Sequence, residues 1–348
     1  MNRNIQGLRA LAAYGVVGHH VVDSLKNYIA VGRFTASPQI GATGVQIFFV
    51  ISGFIMVMTT MRRPITPAAF LQHRIIRVVP TYWILTSVAT VLLMAGLHIL
   101  GQGGVAPVQL LKSLAFVPDF TAEASMRLPV LFVGWTLNYE MMFYVLFALC
   151  LFVPVPTQRL WAISVALLTL WIAGQSGISD YLAYWGNDII LAFLVGILLC
   201  PLDRARALPP RLAIAALPVA LAGLALPDLL PALGVAPHGL LVVTMAAGLL
   251  VFAVLSLERA GIRLPVGWIT RQGDASYALY LVHPFVLQII NKLVLRLGLN
   301  ASLIGLVGTV VAMMVACGVC GRLFHLWVEM PLYQRVRRPR EVPILAVS

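Results

Sequence analysis

The sequence predicts an all-α integral membrane protein: a bundle of about ten transmembrane helices with both termini cytoplasmic, forming one domain over residues 1–348. Three observations carry this. Of the 348 residues 60% are hydrophobic and 10% charged, whereas a soluble domain carries about a quarter charged residues. A window of about 19 residues finds apolar spans near 5–22, 42–61, 78–100, 132–153, 160–175, 187–201, 211–227, 238–257, 275–293 and 302–327. The basic residues then sort by side. One set of loops and ends holds sixteen of the 24, from Arg3 through Arg74 and Arg77 to Arg340, and the opposite loops hold six. By the positive-inside rule the arginine-rich side is cytoplasmic, including a short basic tail near 329–348. The net charge of +12 therefore reads as orientation rather than nucleic-acid binding.

The first span carries Arg9, His19 and His20. Charged and imidazole side chains are costly at membrane depth and usually sit at functional sites, although a satisfied packing histidine is an equal alternative from this stretch alone. Eleven residues bring Arg9 and His20 back to within roughly 20° of one helix face, roughly 16 Å apart along the axis. His19 falls off that face and takes a supporting or structural role. The segment lacks a small-residue cleavage pattern, so the helix is expected to be retained.

In the second span Ser52-Gly53 offers small residues for a close helix contact, with no base nearby to make Ser52 a nucleophile. The loop that follows ends in His73-Arg74-Ile-Ile-Arg77-Val-Val-Pro80. Arg74 and Arg77 are neighbours on one helix face, able to grip a phosphate or simply to anchor the span and set its orientation. Between the third and fourth spans, 101–131 is the longest outer loop. Its apolar stretch 108–117 is too short to cross, so it is either re-entrant or interfacial, roofing a cavity, or a plain surface loop.

The fourth span opens Gly134-Trp-Thr-Leu-Asn-Tyr-Glu140 and continues to Tyr144. Glu140 is the acid deep inside a span and needs a partner or a wet cavity. Helix direction puts it in the outer half with His20, which is the expected partner. The ninth span begins at Asp274, a plausible N-cap, and carries His283 beside Pro284, which should kink it and free a carbonyl. His283 is either a packing histidine or part of the site. In the tenth, Arg322, His325 and Glu329 recur at helical spacing and are expected to pair among themselves or to reach the interface. The four cysteines lie in spans and suggest neither a disulfide framework nor a metal site.

Together, Arg9-x10-His20, Phe-Phe-Val-Ile-Ser-Gly-Phe (48–54), Arg74-x-x-Arg77 with Pro80 and Tyr82, Trp135-Thr-Leu-Asn-Tyr-Glu140-x-x-Phe-Tyr144, Ser276-Tyr-Ala-Leu-Tyr-Leu-Val-His-Pro284 and Glu329-Met-Pro331 resemble the acyltransferase 3 family of membrane-bound O-acyltransferases, nearest its compact exopolysaccharide-acylating type. The chain departs from the pattern in having Thr136 where Ser is commoner and Met141 where a second acid often follows the glutamate. The resemblance implies transfer of an acyl group, commonly acetyl, from cytoplasmic acyl-CoA to a saccharide hydroxyl on the outer side of a bacterial inner membrane. It implies His20 as general base, Glu140 and Arg9 as its catalytic companions, and Arg74 and Arg77 on the CoA phosphates. Trp135, Tyr144 and His283 are expected near the substrate, acyl-CoA is expected as donor, and no metal is expected. A transporter or flippase for a polar or anionic substrate remains the alternative, without the internal repeat many transporters show. A non-sugar acceptor is also open.

Overall fold

The computed structural model describes residues 2–30, 38–62, 64–97, 104–121, 126–205, 207–232, 240–265 and 267–337. The basic tail beyond 337, together with Arg33, Arg63 and Arg206, lies outside the described residues. The chain folds into fourteen helices among the described residues: α1 (Arg3–Ser24), α2 (Gly44–Arg62), α3 (Pro67–Met94), α4 (Pro107–Leu114), α5 (Trp135–Cys150), α6 (Pro156–Gly174), α7 (Asp180–Trp185), α8 (Leu191–Ala205), α9 (Pro210–Ala232), α10 (Leu240–Arg259), α11 (Trp268–Asp274), α12 (Ser276–Arg296), α13 (Leu303–Phe324) and α14 (Met330–Arg337). The one sheet among them is a two-residue antiparallel pair, β1 (Asp119–Phe120) and β2 (Met126–Arg127).

Eight helical stretches among the described residues are long and apolar enough to cross a bilayer: α2, α3, α5, α7 with α8, α9, α10, α12, and α13 with α14. The other two expected spans, near 5–22 and 160–175, are the helices α1 and α6, of 22 and 19 residues. The reason α1 reads as less apolar is its position. It packs against α2, α10, α11, α12 and α13, and it buries Asn4, Gln6 and Arg9 along with its aliphatic residues. A helix enclosed by protein can carry polar groups that a lipid-facing helix cannot. In α6 the polar first turn Thr157-Gln158-Arg159 shortens the apolar run.

Local chemistry sets the helix starts. Asn2 accepts from the backbone N–H of Ile5 and so caps α1; Thr66 accepts from Ala69 ahead of Pro67, and Ser302 from Gly305. Asp274 is not the cap of α12. A short extra helix, α11, precedes α12 and ends at Asp274, whose carboxylate is taken instead by the side-chain amide of Gln6 from α1. α12 runs through Pro284 as one continuous helix.

Close packing at the centre follows from small residues. A Cβ added at Gly53 of α2 would overlap the carbonyl of Phe193 in α8, and one at Gly196 of α8 would overlap that of Val50 in α2. The crossing is reciprocal, as small residues permit in membrane bundles. It lets Phe193 stack between Phe49 (centroids 4.3 Å) and Phe143 (4.2 Å), tying α2, α5 and α8 together.

The 101–131 loop is structured where it is described. Lys112 of α4 (2.8 Å) and Arg127 of β2 (3.6 Å) share Asp119, Ser113 Oγ accepts from Val130 N–H (3.0 Å), and Trp83 Nε1–H donates to Leu114 O (2.9 Å). The Asp119 carboxylate holds the Lys112 ammonium above the usual lysine range. Met126 and Leu128 then face a cavity, so the loop is a wall element rather than a plain surface loop.

Candidate active site

Two cavities lie back to back inside the bundle. The first, about 130 Å3, draws Arg9 from α1, Ser52 from α2, Arg74 and Arg77 from α3, Glu140 and Tyr144 from α5, and Ser276, Tyr277 and Tyr280 from α12. Three arginines and one glutamate line it, which gives the cavity a cationic balance suited to anionic groups. Arg9 is 8% exposed and bonds Gln6 Oε1 (3.3 Å) and Ser276 Oγ (2.9 Å). Since Gln6 also donates to Asp274, its amide links the buried guanidinium to a carboxylate by relay. Arg74 lies over the rings of Phe70 (5.3 Å) and Tyr144 (5.8 Å), and Arg77 is exposed at the mouth. Glu140 accepts from the hydroxyls of Tyr144 and Ser52, the latter at 3.4 Å. Ser52, read from sequence as a packing residue, thus reaches the site through its hydroxyl.

The second cavity, about 730 Å3, is lined by His19, His20, Gln39, Gln46, Trp135, Tyr139, Tyr184 and Asn187 among others. His20 stacks on His283 (centroids 5.2 Å, 19°) and meets Phe132 edge-on (5.1 Å). His283 is fully buried behind it and lines neither cavity. Trp135 meets Tyr139 edge-on, and Tyr139 stacks on Tyr184 (4.8 Å), which gives this cavity an aromatic side. Such faces suit the apolar faces of sugar rings as well as other flat or apolar groups.

Val45 and Tyr280 line both cavities and form the wall between them. The Tyr280 hydroxyl sits 2.9 Å from Thr136 Oγ1 and 3.1 Å from Val133 O. The structure therefore groups Arg9, Arg74, Arg77, Glu140 and Tyr144 in one chamber and His20 with Trp135 in the other.

The expected pairing of His20 with Glu140 does not form. The carboxylate beside His20 is Asp23, 3.7 Å from Nδ1, and Asp23 also lies 3.4 Å from Nε2 of His19. Position along a helix fixes height but not direction: α5 turns Glu140 toward α2 and α3, while α1 turns His20 toward α12. Near α14 the expected pair His325–Glu329 forms at 2.8 Å, but Arg322 instead donates to the carbonyl of Arg271 at 3.0 Å. All four cysteines are free thiols.

A family model described as an acyltransferase domain matches residues 2–322. The chain is 37% identical over 311 residues to the exopolysaccharide production protein ExoZ of Rhizobium meliloti (strain 1021), covering 88% of this chain and 94% of that protein. It is 24% identical over 383 residues to the acyltransferase MdmB of Streptomyces mycarofaciens, covering 97% of this chain and 93% of that one. No solved structure matches it.

Proposed function

The chain belongs to the acyltransferase 3 family, and from that premise we propose that it moves an acyl group, acetyl in the first instance, from cytoplasmic acyl-CoA to a saccharide hydroxyl of an exopolysaccharide or its lipid-linked precursor. The proposal includes ten spans in a bacterial inner membrane, counting α1 and α6, with both termini cytoplasmic. The observation that carries it is the pair of cavities separated by Val45 and Tyr280. An anion-binding chamber on the arginine-rich side backs onto a chamber with an imidazole and aromatic side chains.

In this reading Arg74 and Arg77 grip the CoA phosphates, and the pantetheine arm carries the thioester toward the shared wall. His20 accepts the proton of the sugar hydroxyl, whose oxygen forms a new bond to the thioester carbonyl carbon. The carbon–sulfur bond then breaks, and the CoA thiolate leaves with a proton returned from His20. Asp23 beside Nδ1 would hold the other nitrogen, Nε2, free for that work. Arg9 and Glu140 position groups around the reacting carbonyl and stabilise the charge that develops on its oxygen.

Membranes supplied with labelled acetyl-CoA and an exopolysaccharide acceptor provide the test. Wild-type chain should label the glycan, His20→Ala should abolish labelling while inserting normally, and Arg74→Ala with Arg77→Ala should raise KM for the donor. Movement of a polar substrate across the membrane with no acyl transfer would replace this reading with transport. Wild-type labelling by His20→Ala would remove His20 from the base role.

A further inference from the structure

We propose that the outer end of α1 is a divalent transition-metal site, of the kind that takes Zn2+, formed by His19, His20 and Asp23. The ligand atoms of the three residues all lie within 4.8 Å of one another. His19 Nε2 is 3.4 Å and His20 Nδ1 3.7 Å from the same Asp23 oxygen. Two ligands of a tetrahedral zinc, each about 2 Å from the metal, stand roughly 3.3 Å apart. The first separation already fits, and the others, 3.7 Å and at most 4.8 Å, lie within about 1.5 Å of that spacing.

The backbone contact of His19 is a second observation. Its Nδ1 lies 2.8 Å from the carbonyl oxygen of Pro38, which can only accept. Nδ1 therefore carries a hydrogen, and in the neutral ring Nε2 presents a lone pair. Nε2 lies 3.4 Å from a carboxylate oxygen, a separation that a cation coordinated by both atoms would bridge. A backbone carbonyl that fixes the far nitrogen is also the usual outer support of a metal-bound histidine. The side chains are 13%, 24% and 35% exposed, so an ion would enter from the larger cavity and keep a coordination position open toward it. Gln46 Oε1, buried without a hydrogen-bond partner among the described residues, lines the same cavity.

Occupancy has a consequence that rests on the proposed function, although the binding itself does not. A metal on His20 Nδ1 leaves the hydrogen on Nε2, and that nitrogen can no longer accept the proton of an incoming hydroxyl. The ion would act as a reversible inhibitor of transfer.

The full chain in nanodiscs, dialysed against buffered Zn2+ and measured by elemental analysis, decides the matter. Wild type should hold one zinc per chain, and Cys317→Ser with Cys320→Ser should hold it equally. His19→Ala and Asp23→Asn should bind at least about tenfold more weakly, with zinc-free melting temperatures confirming that both are folded. A wild type without zinc, as expected if a proton on His19 occupies the position, overturns the site. So does undiminished binding by both variants. Zinc should also suppress wild-type transfer and a chelator restore it, with His19→Ala escaping. Stoichiometric zinc without inhibition would leave the site standing and count against His20 as the base.

Discussion

Arg9 illustrates how a charge survives inside the bundle. Its guanidinium bonds Gln6 and Ser276, and Gln6 passes the connection on to Asp274. Gln6→Leu removes one of the two hydrogen bonds of the buried Arg9 guanidinium and its link to the exposed Asp274, and hydrogen bonds to charges are worth about 1.5–3 kcal/mol each. We expect that variant to lower stability by about 2–3 kcal/mol, read from thermal unfolding in nanodiscs, with Arg9→Ala costing about 3–5 kcal/mol. Arg9, His20, Arg74, Arg77 and Glu140 were legible in the sequence because charged or imidazole groups are conspicuous on apolar spans. Gln6 and Ser276 were not, because uncharged polar residues carry no such signal. Asp23 escaped for another reason: an acid near the end of a span looks like ordinary surface.

Among the elements, the close crossing of α2 and α8 sits next to the first cavity, since Ser52, which lines it, is adjacent to Gly53. Gly53→Val should force the two helices apart and cost about 1–3 kcal/mol, the usual range for overpacking. Gly18→Ala, where a Cβ meets nothing within 4 Å, should be neutral or stabilising by up to about 1 kcal/mol. Comparing their melting temperatures separates helix contact from helix propensity. In the outer loop, Lys112 is held protonated above the ordinary lysine range by Asp119. A raised value in the fold means the pair contributes fully at neutral pH and is lost only as pH rises through that raised value. Limited proteolysis across residues 104–121 should thus be unchanged between pH 6 and 9, whereas Asp119→Asn should speed cleavage at neutral pH. The small-residue contact of α2 was readable from Ser52-Gly53. Its partner α8 was not, because sequence gives the presence of a contact surface without its mate. The pairing of Glu140 failed for the same reason.

At the scale of the whole molecule, separation of the two chambers depends on a thin wall at Val45 and Tyr280. Tyr280→Ala should join them and, under the proposed function, admit water to the donor thioester. The measurement is the ratio of acyl-CoA hydrolysis to glycan acylation, expected to rise in the variant; an unchanged ratio would show that Tyr280 does not separate donor from acceptor. The helical bundle was legible from hydropathy: among the described residues eight of the expected spans are helices long and apolar enough to cross a bilayer, and the other two are the helices α1 and α6. What hydropathy could not give is their arrangement, in which the least apolar of the long segments, α1, packs against α2, α10, α11, α12 and α13.

That packing sets a problem of timing during synthesis. α1 leaves the ribosome well before α12, and Ser276, which bonds Arg9, lies 267 residues later in the chain. At about 5–20 residues per second of translation, roughly 13–50 s pass before that partner exists. Throughout that interval the Arg9 guanidinium has Gln6 of its own helix but not Ser276, and His20 lacks His283. The nascent chain therefore needs a temporary polar shelter, such as a translocon or insertase, and truncations that end before α12 should be cleared by membrane proteases faster than the full chain.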